Sequence, residues 1–260
     1  MPDATMDAHL REEIELADAE YGRLGSTTIN QKILKGYRAP TEMWHWRQRA
    51  ASVLGPVAGK RLLDYGCGQG EEAAYFASVS AIVTAIDISP VGLRVGRDRA
   101  KANGLTIDFR SMNCEHTEFP DASFDIVHGS GILHHIGLET GLREVRRLLV
   151  DGGKAIFLEP LQSGPVSEGV KATLSKTLPS SLQLTPVTSG EENLRLEDIE
   201  AAGRTWRECA VFPYRLTYRV RKLFLPQQLW EYSLRLDHWI LSQWPGARAL
   251  AGAAVVFLRK

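Results

Sequence analysis

Residues 61–70, Arg-Leu-Leu-Asp-Tyr-Gly-Cys-Gly-Gln-Gly, constrain the fold of this chain more than any other stretch. An apolar β run through Leu62 and Leu63 ends in an acid, Asp64, and passes into glycines at alternate positions, Gly66, Gly68 and Gly70. A helix-forming stretch, 71–77, follows at once. Open α/β sheets use strand, glycine turn and helix to bring the backbone close to a ligand at the carboxyl ends of their strands. Glycine suits the turn because a Cβ would block both the tight bend and the close approach.

The spacing then narrows the ligand. A dinucleotide fingerprint reads Gly-x-Gly-x-x-Gly, and here the third glycine comes one residue early. No Gly-Lys-Ser/Thr ending is present, which excludes a P-loop. A second acid, Asp87, closes the next apolar run, 81–86. It lies about 20 residues beyond the first glycine, where such an acid can accept hydrogen bonds from an adenosine ribose. The pattern points to an adenosine ligand without a pyrophosphate bridge.

On these residues the chain resembles the class I S-adenosylmethionine-dependent methyltransferases, of the quinone and small-molecule type. Leu63 to Gly70 is similar to that family's first motif, and Asp87-Ile88-Ser89-Pro90 to its ribose-binding acid. Phe124-Asp125-Ile126-Val127 resembles the fourth strand, Leu133-His134-His135-Ile136 the segment after it, and Arg143 to Gly153 the passage into the fifth. The resemblance covers roughly residues 60–160 and implies S-adenosyl-L-methionine as methyl donor, with no metal. It implies that Asp64 orients the glycine turn and that Gly66, Gly68 and Gly70 hold the donor's amino-acid end. Asp87 would hold the ribose and Ile88 would pack on the adenine. Asn113 and Cys114 would meet the adenine amino group, and Gly129 would touch the donor by its backbone.

For the chemistry itself the candidates are His134 and Glu159. The histidine pair follows the fourth strand, and an imidazole has the right pKa for general-base work. Of the two, His134 is the better base candidate and His135 reads as a packed core residue. Glu159 ends the fifth strand, where it either touches the acceptor or is a capping or surface acid.

The 260 residues suffice for one α/β domain with appended parts. Strand and helix signals alternate from 61 to 158, which predicts a Rossmann-like, doubly wound, mostly parallel seven-stranded sheet. An N-terminal helical lid is expected over 1–55, with helices at 5–20 and 41–54 around a mixed loop, 22–40. The donor-binding core would span 56–160. Residues 161–260 would hold a long connection to 200, a strand at 204–212, a helical insertion at about 213–250 and a final strand at 253–258.

Lys plus Arg and Asp plus Glu each number 31, so the chain lacks the cationic surplus that nucleic acid demands. Three scattered cysteines form no disulfide framework or zinc spacing. No apolar run is long enough to span a bilayer, and Met1-Pro2-Asp3-Ala4 lacks the features of a signal peptide. A cytoplasmic location is therefore expected. The insertion carries Tyr214, Arg215, Tyr218, Arg219, Arg221 and Lys222, then Leu223-Phe224-Leu225, Trp230, Tyr232, Trp239 and Trp244. Tyr37, Arg38, Trp44, His45, Trp46 and Arg47 give the N-terminal part a similar mixture. Such groups suit a small, largely apolar acceptor with or without an anionic group, such as a prenyl diphosphate or an aromatic acid. They equally suit peripheral contact with a membrane beside a quinone or lipid substrate, or plain packing in a helical cap. A rival of another class is a donor-binding protein that transfers no methyl group, such as a cyclisation catalyst or an assembly factor.

Overall fold

The computed structural model describes residues 8–24, 27–38, 45–161, 194–216, 226 and 229–260. Seven strands form one sheet: β1 (Arg61–Tyr65), β2 (Ile82–Asp87), β3 (Ile107–Ser111), β4 (Phe124–Ser130), β5 (Leu149–Pro160), β6 (Glu208–Tyr214) and β7 (Ala253–Arg259). Their order is β3-β2-β1-β4-β5-β7-β6, with β7 antiparallel to both neighbours and the other pairings parallel. This is the doubly wound α/β fold that the strand–helix alternation predicts.

The central strands are apolar on both sides because helices cover both faces. On one face α6 (Leu138–Leu148) buries Leu138, Leu142, Val145 and Leu148 against Val127, Ala155 and Phe157. These positions recur at helical spacing, so one stripe of α6 serves the core. On the other face α3 (Trp46–Leu54), α4 (Glu71–Ser78) and α5 (Pro90–Ala102) share a core with Leu62, Ile126 and Ile156. Ser89 caps α5 by accepting the Gly92 N–H at 2.9 Å, and Pro90 fills the first turn, where its missing N–H costs nothing. Consecutive strands run outward from β1 to β3 and then, from β4, in the opposite direction. The β1/β4 boundary is thus a topological switch point, where such sheets open a crevice.

Four expectations need correction. The span expected as a mixed loop contains a helix, α2 (Gln31–Arg38), after α1 (Ala8–Leu24). Its Gly36 argues against a helix, but Ile33, Leu34 and Tyr37 fall on one side and are buried, and packing overrides propensity. The second N-terminal helix starts at Trp46 rather than 41. A further helix, α7 (Leu196–Gly203), lies at the end of the expected connection, anchored by buried Ile199. Strand β6 starts later than expected, at Glu208. The insertion is helical over α8 (Trp230–Gln243) and a 3-10 segment, Pro245–Leu250. The expectations on 1–7, 39–44, 162–193 and 217–225, which include Trp44, Tyr218, Arg219, Arg221, Lys222 and Leu223 to Leu225, lie outside the described residues, as do the side chains of Lys32, Lys35 and Arg38.

Candidate active site

The glycine turn after β1 is held in the left-handed region. Gly66 has φ +72° and Gly68 φ +50°, and a Cβ on Gly66 would sit 2.6 Å from the Ile132 side chain. On Gly68 it would sit 2.9 Å from the Tyr21 hydroxyl. The turn is braced from β2: Asp87 accepts the Gly68 N–H at 2.7 Å with one oxygen and the Ser89 N–H at 2.8 Å with the other. Burial pushes the Asp87 carboxyl up, and these backbone donors oppose that shift. One carboxylate thus ties the turn to the start of α5.

A cleft of about 650 Å³ opens above the switch point. That is within the range of small-molecule sites, roughly 300–1,000 Å³. Asp64, Gly66 and Gly68 line it from β1, Asp87 and Ile88 from β2, and Ser130, Gly131 and Ile132 from β4. Helix α1 adds Glu13, Leu16, Ala17 and Tyr21. It is pinned there because Asp18 accepts the Ser89 hydroxyl and, at 3.2 Å, the Val91 N–H. Gln69 adds a bond from Nε2 to the Tyr21 carbonyl at 3.0 Å.

The structure brings together five of the eleven expected site residues around this cleft and places the others behind it. Gly70 packs between Phe109 and Gly96, and Gly129 against Ile132 and Phe157. Asn113 uses its side-chain oxygen to accept the Glu115 N–H at 2.8 Å, and Cys114 is buried with its carbonyl accepting the Tyr65 hydroxyl.

The histidine pair divides unexpectedly. Glu159 is fully buried, not a surface acid: one oxygen accepts the N–H groups of Ile132 and Leu133 at 2.9 and 3.0 Å. The other lies 3.0 Å from His134 Nδ1. A carboxylate only accepts, so His134 donates from Nδ1, and in the neutral imidazole its lone pair is on Nε2. His135 does not join the core. It is a third exposed, lines the cleft, and has Nδ1 3.3 Å from Glu13 of α1. The two imidazoles are in contact, with centroids 4.1 Å apart. Of the pair, His135 faces the cleft and His134 turns to Glu159.

Two further residues near the site, His128 and Glu72, escape the sequence patterns. His128 in β4 is fully buried, with Nδ1 2.8 Å from Asp64 and Nε2 3.2 Å from the Tyr37 hydroxyl. Arg47 forks onto Glu72 with bonds of 2.9 and 2.7 Å, at the edge of the same cleft. No motif marks His128; the parallel β1/β4 register of the folded sheet pairs it with Asp64.

Among the described residues, the insertion's aromatics do not line the cleft. Tyr232, Trp239 and Trp244 are more than half exposed, and the two tryptophans meet edge to face, 5.9 Å apart. Tyr214 is buried, with its hydroxyl accepting from Arg49 Nε at 3.3 Å, and Arg215 stacks 4.0 Å over Trp46.

Electrostatically the cleft is acidic. Among the described residues, Glu13, Asp64, Glu71, Glu72 and Asp87 line it against one guanidinium, Arg47. That lining favours a cationic ligand; the cations expected to meet an anionic acceptor, Arg219, Arg221 and Lys222, lie outside the described residues. The Asp64 Oδ2 atom is buried and has no hydrogen-bond partner among the described residues, a donor-seeking group at the cleft wall. Among those residues no group of three His, Cys, Asp or Glu is placed to hold a metal ion, and no helix is long and apolar enough to cross a membrane.

Comparison with known proteins agrees with this geometry. A family model described as a methyltransferase domain matches residues 63–157. A demethylmenaquinone methyltransferase of Tropheryma whipplei is 37% identical over 116 residues, 44% of this chain and 48% of that protein. A ubiquinone biosynthesis O-methyltransferase of Methylocella silvestris is 35% identical over 125 residues, 48% of this chain and 44% of that protein. The chain thus spans about half the length of the curated relatives it matches. Among solved structures, a geranyl diphosphate methyltransferase in complex with GPP and sinefungin superposes with a TM-score of 0.54. The superposition covers 82% of this chain and 77% of that one at 15% identity, a likeness of fold.

Proposed function

This chain belongs to the class I S-adenosylmethionine-dependent methyltransferase superfamily, and on that premise we propose that it transfers a methyl group from S-adenosyl-L-methionine to a small, largely apolar acceptor. The observation that carries the reading is the acidic cleft at the β1/β4 switch point. The donor brings an activated methyl group on a sulfonium, so the chain's own task is to bind, align and take up a proton. Asp87 and Ile88 hold the nucleoside, Gly66 and Gly68 admit the amino-acid end, and Asp64 Oδ2 meets its ammonium. The carboxylates of the cleft offset the sulfonium charge.

On the acceptor side, His135 is the group placed to receive a proton, because it lines the cleft. His134 and Glu159 act from behind it. Glu159 fixes the loop after β4 through two backbone N–H groups and sets the His134 tautomer. In this reading the expected catalytic residues His134 and Glu159 act as support for His135. Helix α1 serves as the lid that closes the cleft.

A quinol is the acceptor class favoured by a specific observation, the two quinone-pathway relatives. A second observation fits that class: Leu229, Tyr232, Leu236 and Trp239 form an exposed apolar stripe on and before α8. Such a stripe suits a membrane surface, where quinones reside. The test is to incubate the protein with S-adenosylmethionine and a panel of quinols, phenols and neutral prenyl compounds, and to measure S-adenosylhomocysteine. Acceptor-dependent product formation supports the reading. Tight donor binding with no product from any acceptor favours a non-methylating donor-binding protein. Co-sedimentation with vesicles tests the membrane contact, and no association would remove it.

A further inference from the structure

We infer that His128 and Tyr37 are positioning residues of the donor site, coupling helix α2 to the carboxylate that receives the donor's amino-acid end; this rests on the donor reading above. Asp64, His128 and Tyr37 form one buried hydrogen-bond chain running from the cleft wall to α2. Asp64 Oδ1 and His128 Nδ1 are 2.8 Å apart, and His128 Nε2 and the Tyr37 hydroxyl are 3.2 Å apart. Asp64 only accepts, so His128 carries a hydrogen on Nδ1; with the imidazole neutral, its Nε2 accepts from the Tyr37 O–H.

The three side chains are 2, 0 and 4% exposed, so the chain is dry. It is also tightly boxed. The His128 ring stands edge-on to Phe76 at 4.9 Å, and Tyr37 stacks on Tyr75 at 4.2 Å with an interplanar angle of 12°. Burial pushes the Tyr37 hydroxyl far above its ordinary pKa, aided by Glu72, so it stays a donor. A buried histidine inside a parallel sheet has no packing reason to be there, because a leucine would fill the space without a polar cost. What it does supply is orientation. With Oδ1 spoken for, the Asp64 carboxylate cannot rotate, and Oδ2, which lacks a partner among the described residues, is held at the cleft wall. A fixed, unpartnered carboxylate oxygen on a cleft-lining residue is suited to an ammonium group. The occupant of that oxygen would therefore be the α-ammonium of the donor, and the seating of α2 would be felt there through His128.

The variants H128Q and H128N separate this role from mere support. A glutamine amide reaches the Nε2 position and leaves Asp64 without its bond, whereas an asparagine amide reaches the Nδ1 position and keeps it. Calorimetric titration uses two probes, S-adenosylhomocysteine and 5′-methylthioadenosine, which share the nucleoside and thioether but differ in the amino-acid end. The expected result is that H128Q weakens S-adenosylhomocysteine binding by roughly tenfold or more, leaves 5′-methylthioadenosine unchanged, and is largely rescued in H128N. Y37F is the second variant, expected to act in the same sense by a smaller factor if H128Q fails to fold. Equal loss for both nucleosides, or no loss for S-adenosylhomocysteine, would overturn the positioning role. A wild-type chain that binds neither probe would instead overturn the donor reading beneath it.

Discussion

At the scale of single residues, the account turns on which groups meet ligand and which hold those groups still. His135 lines the cleft, so His135→Ala is expected to lower turnover by about 10²-fold or more while leaving donor affinity within about twofold. Equal losses in both, measured by steady-state kinetics and titration, would count against a proton-accepting role. Glu159→Gln tests the support behind it. Two backbone N–H groups and His134 Nδ1 all donate to Glu159. Glutamine has one accepting oxygen, so one buried donor would face an amide N–H₂. The expected cost is about 1–3 kcal/mol of stability, read from denaturant unfolding. A variant as stable as wild type would mean that the loop after β4 is held by something else.

At the scale of elements, α1 is the part with most influence on the cleft and least grip on the core. Its hold depends on Asp18, which meets the capping Ser89 and the Val91 N–H. Asp18→Ala removes both contacts, at about 1 kcal/mol. Hydrogen exchange over Ala8–Leu24 is then expected to quicken, with β1 and β4 unaffected; unchanged exchange in α1 would show that its packing alone secures it. The elements also show what a sequence reveals of its own fold. Strands β1 to β5 and helices α4 to α6 were legible because each carries a local signal: an apolar run, a glycine turn, a Ser-Pro cap. Helix α2 was not, since Gly36 weighs against a helix and only tertiary burial of Ile33, Leu34 and Tyr37 decides the matter. The same limit hid the Asp64–His128–Tyr37 chain. Its members are 27 and 64 residues apart in sequence order, joined only by sheet register and helix docking. The insertion's composition leaves pocket, membrane surface and helical cap open, and the exposure of Tyr232, Trp239 and Trp244 is an orientation that composition does not reveal.

At the scale of the whole molecule, acid stability falls in two steps with separate causes. Burial lowers the His45 pKa to about 4, with Arg47 and Arg215 adding to the shift. The unfolded chain takes up that proton near 6.5 and the folded one only near 4, so the contribution is present above 6.5 and is lost as pH falls through that window. Its size is on the order of 1–3 kcal/mol. Burial alone would raise Glu144, but hydrogen bonds from Arg147 and Thr117 win and hold it down to about 2. Its contribution is lost lower, as pH falls from about 4.5 to about 2, and is modest because the pair is partly solvated. Thermal unfolding followed against pH should show both windows, and His45→Phe should flatten only the upper one; an unaltered upper slope would assign it to another group.

The central claim is that the acidic cleft at the switch point holds S-adenosylmethionine through Asp87 and the glycine turn. Calorimetric titration of the wild-type chain and of Asp87→Ala with S-adenosylmethionine and S-adenosylhomocysteine tests it most directly. The account predicts binding at micromolar concentration by the wild type and a loss of at least about tenfold in the variant, as expected for a charge-assisted hydrogen bond to the ribose. A well-folded wild-type chain that binds neither nucleoside would contradict it.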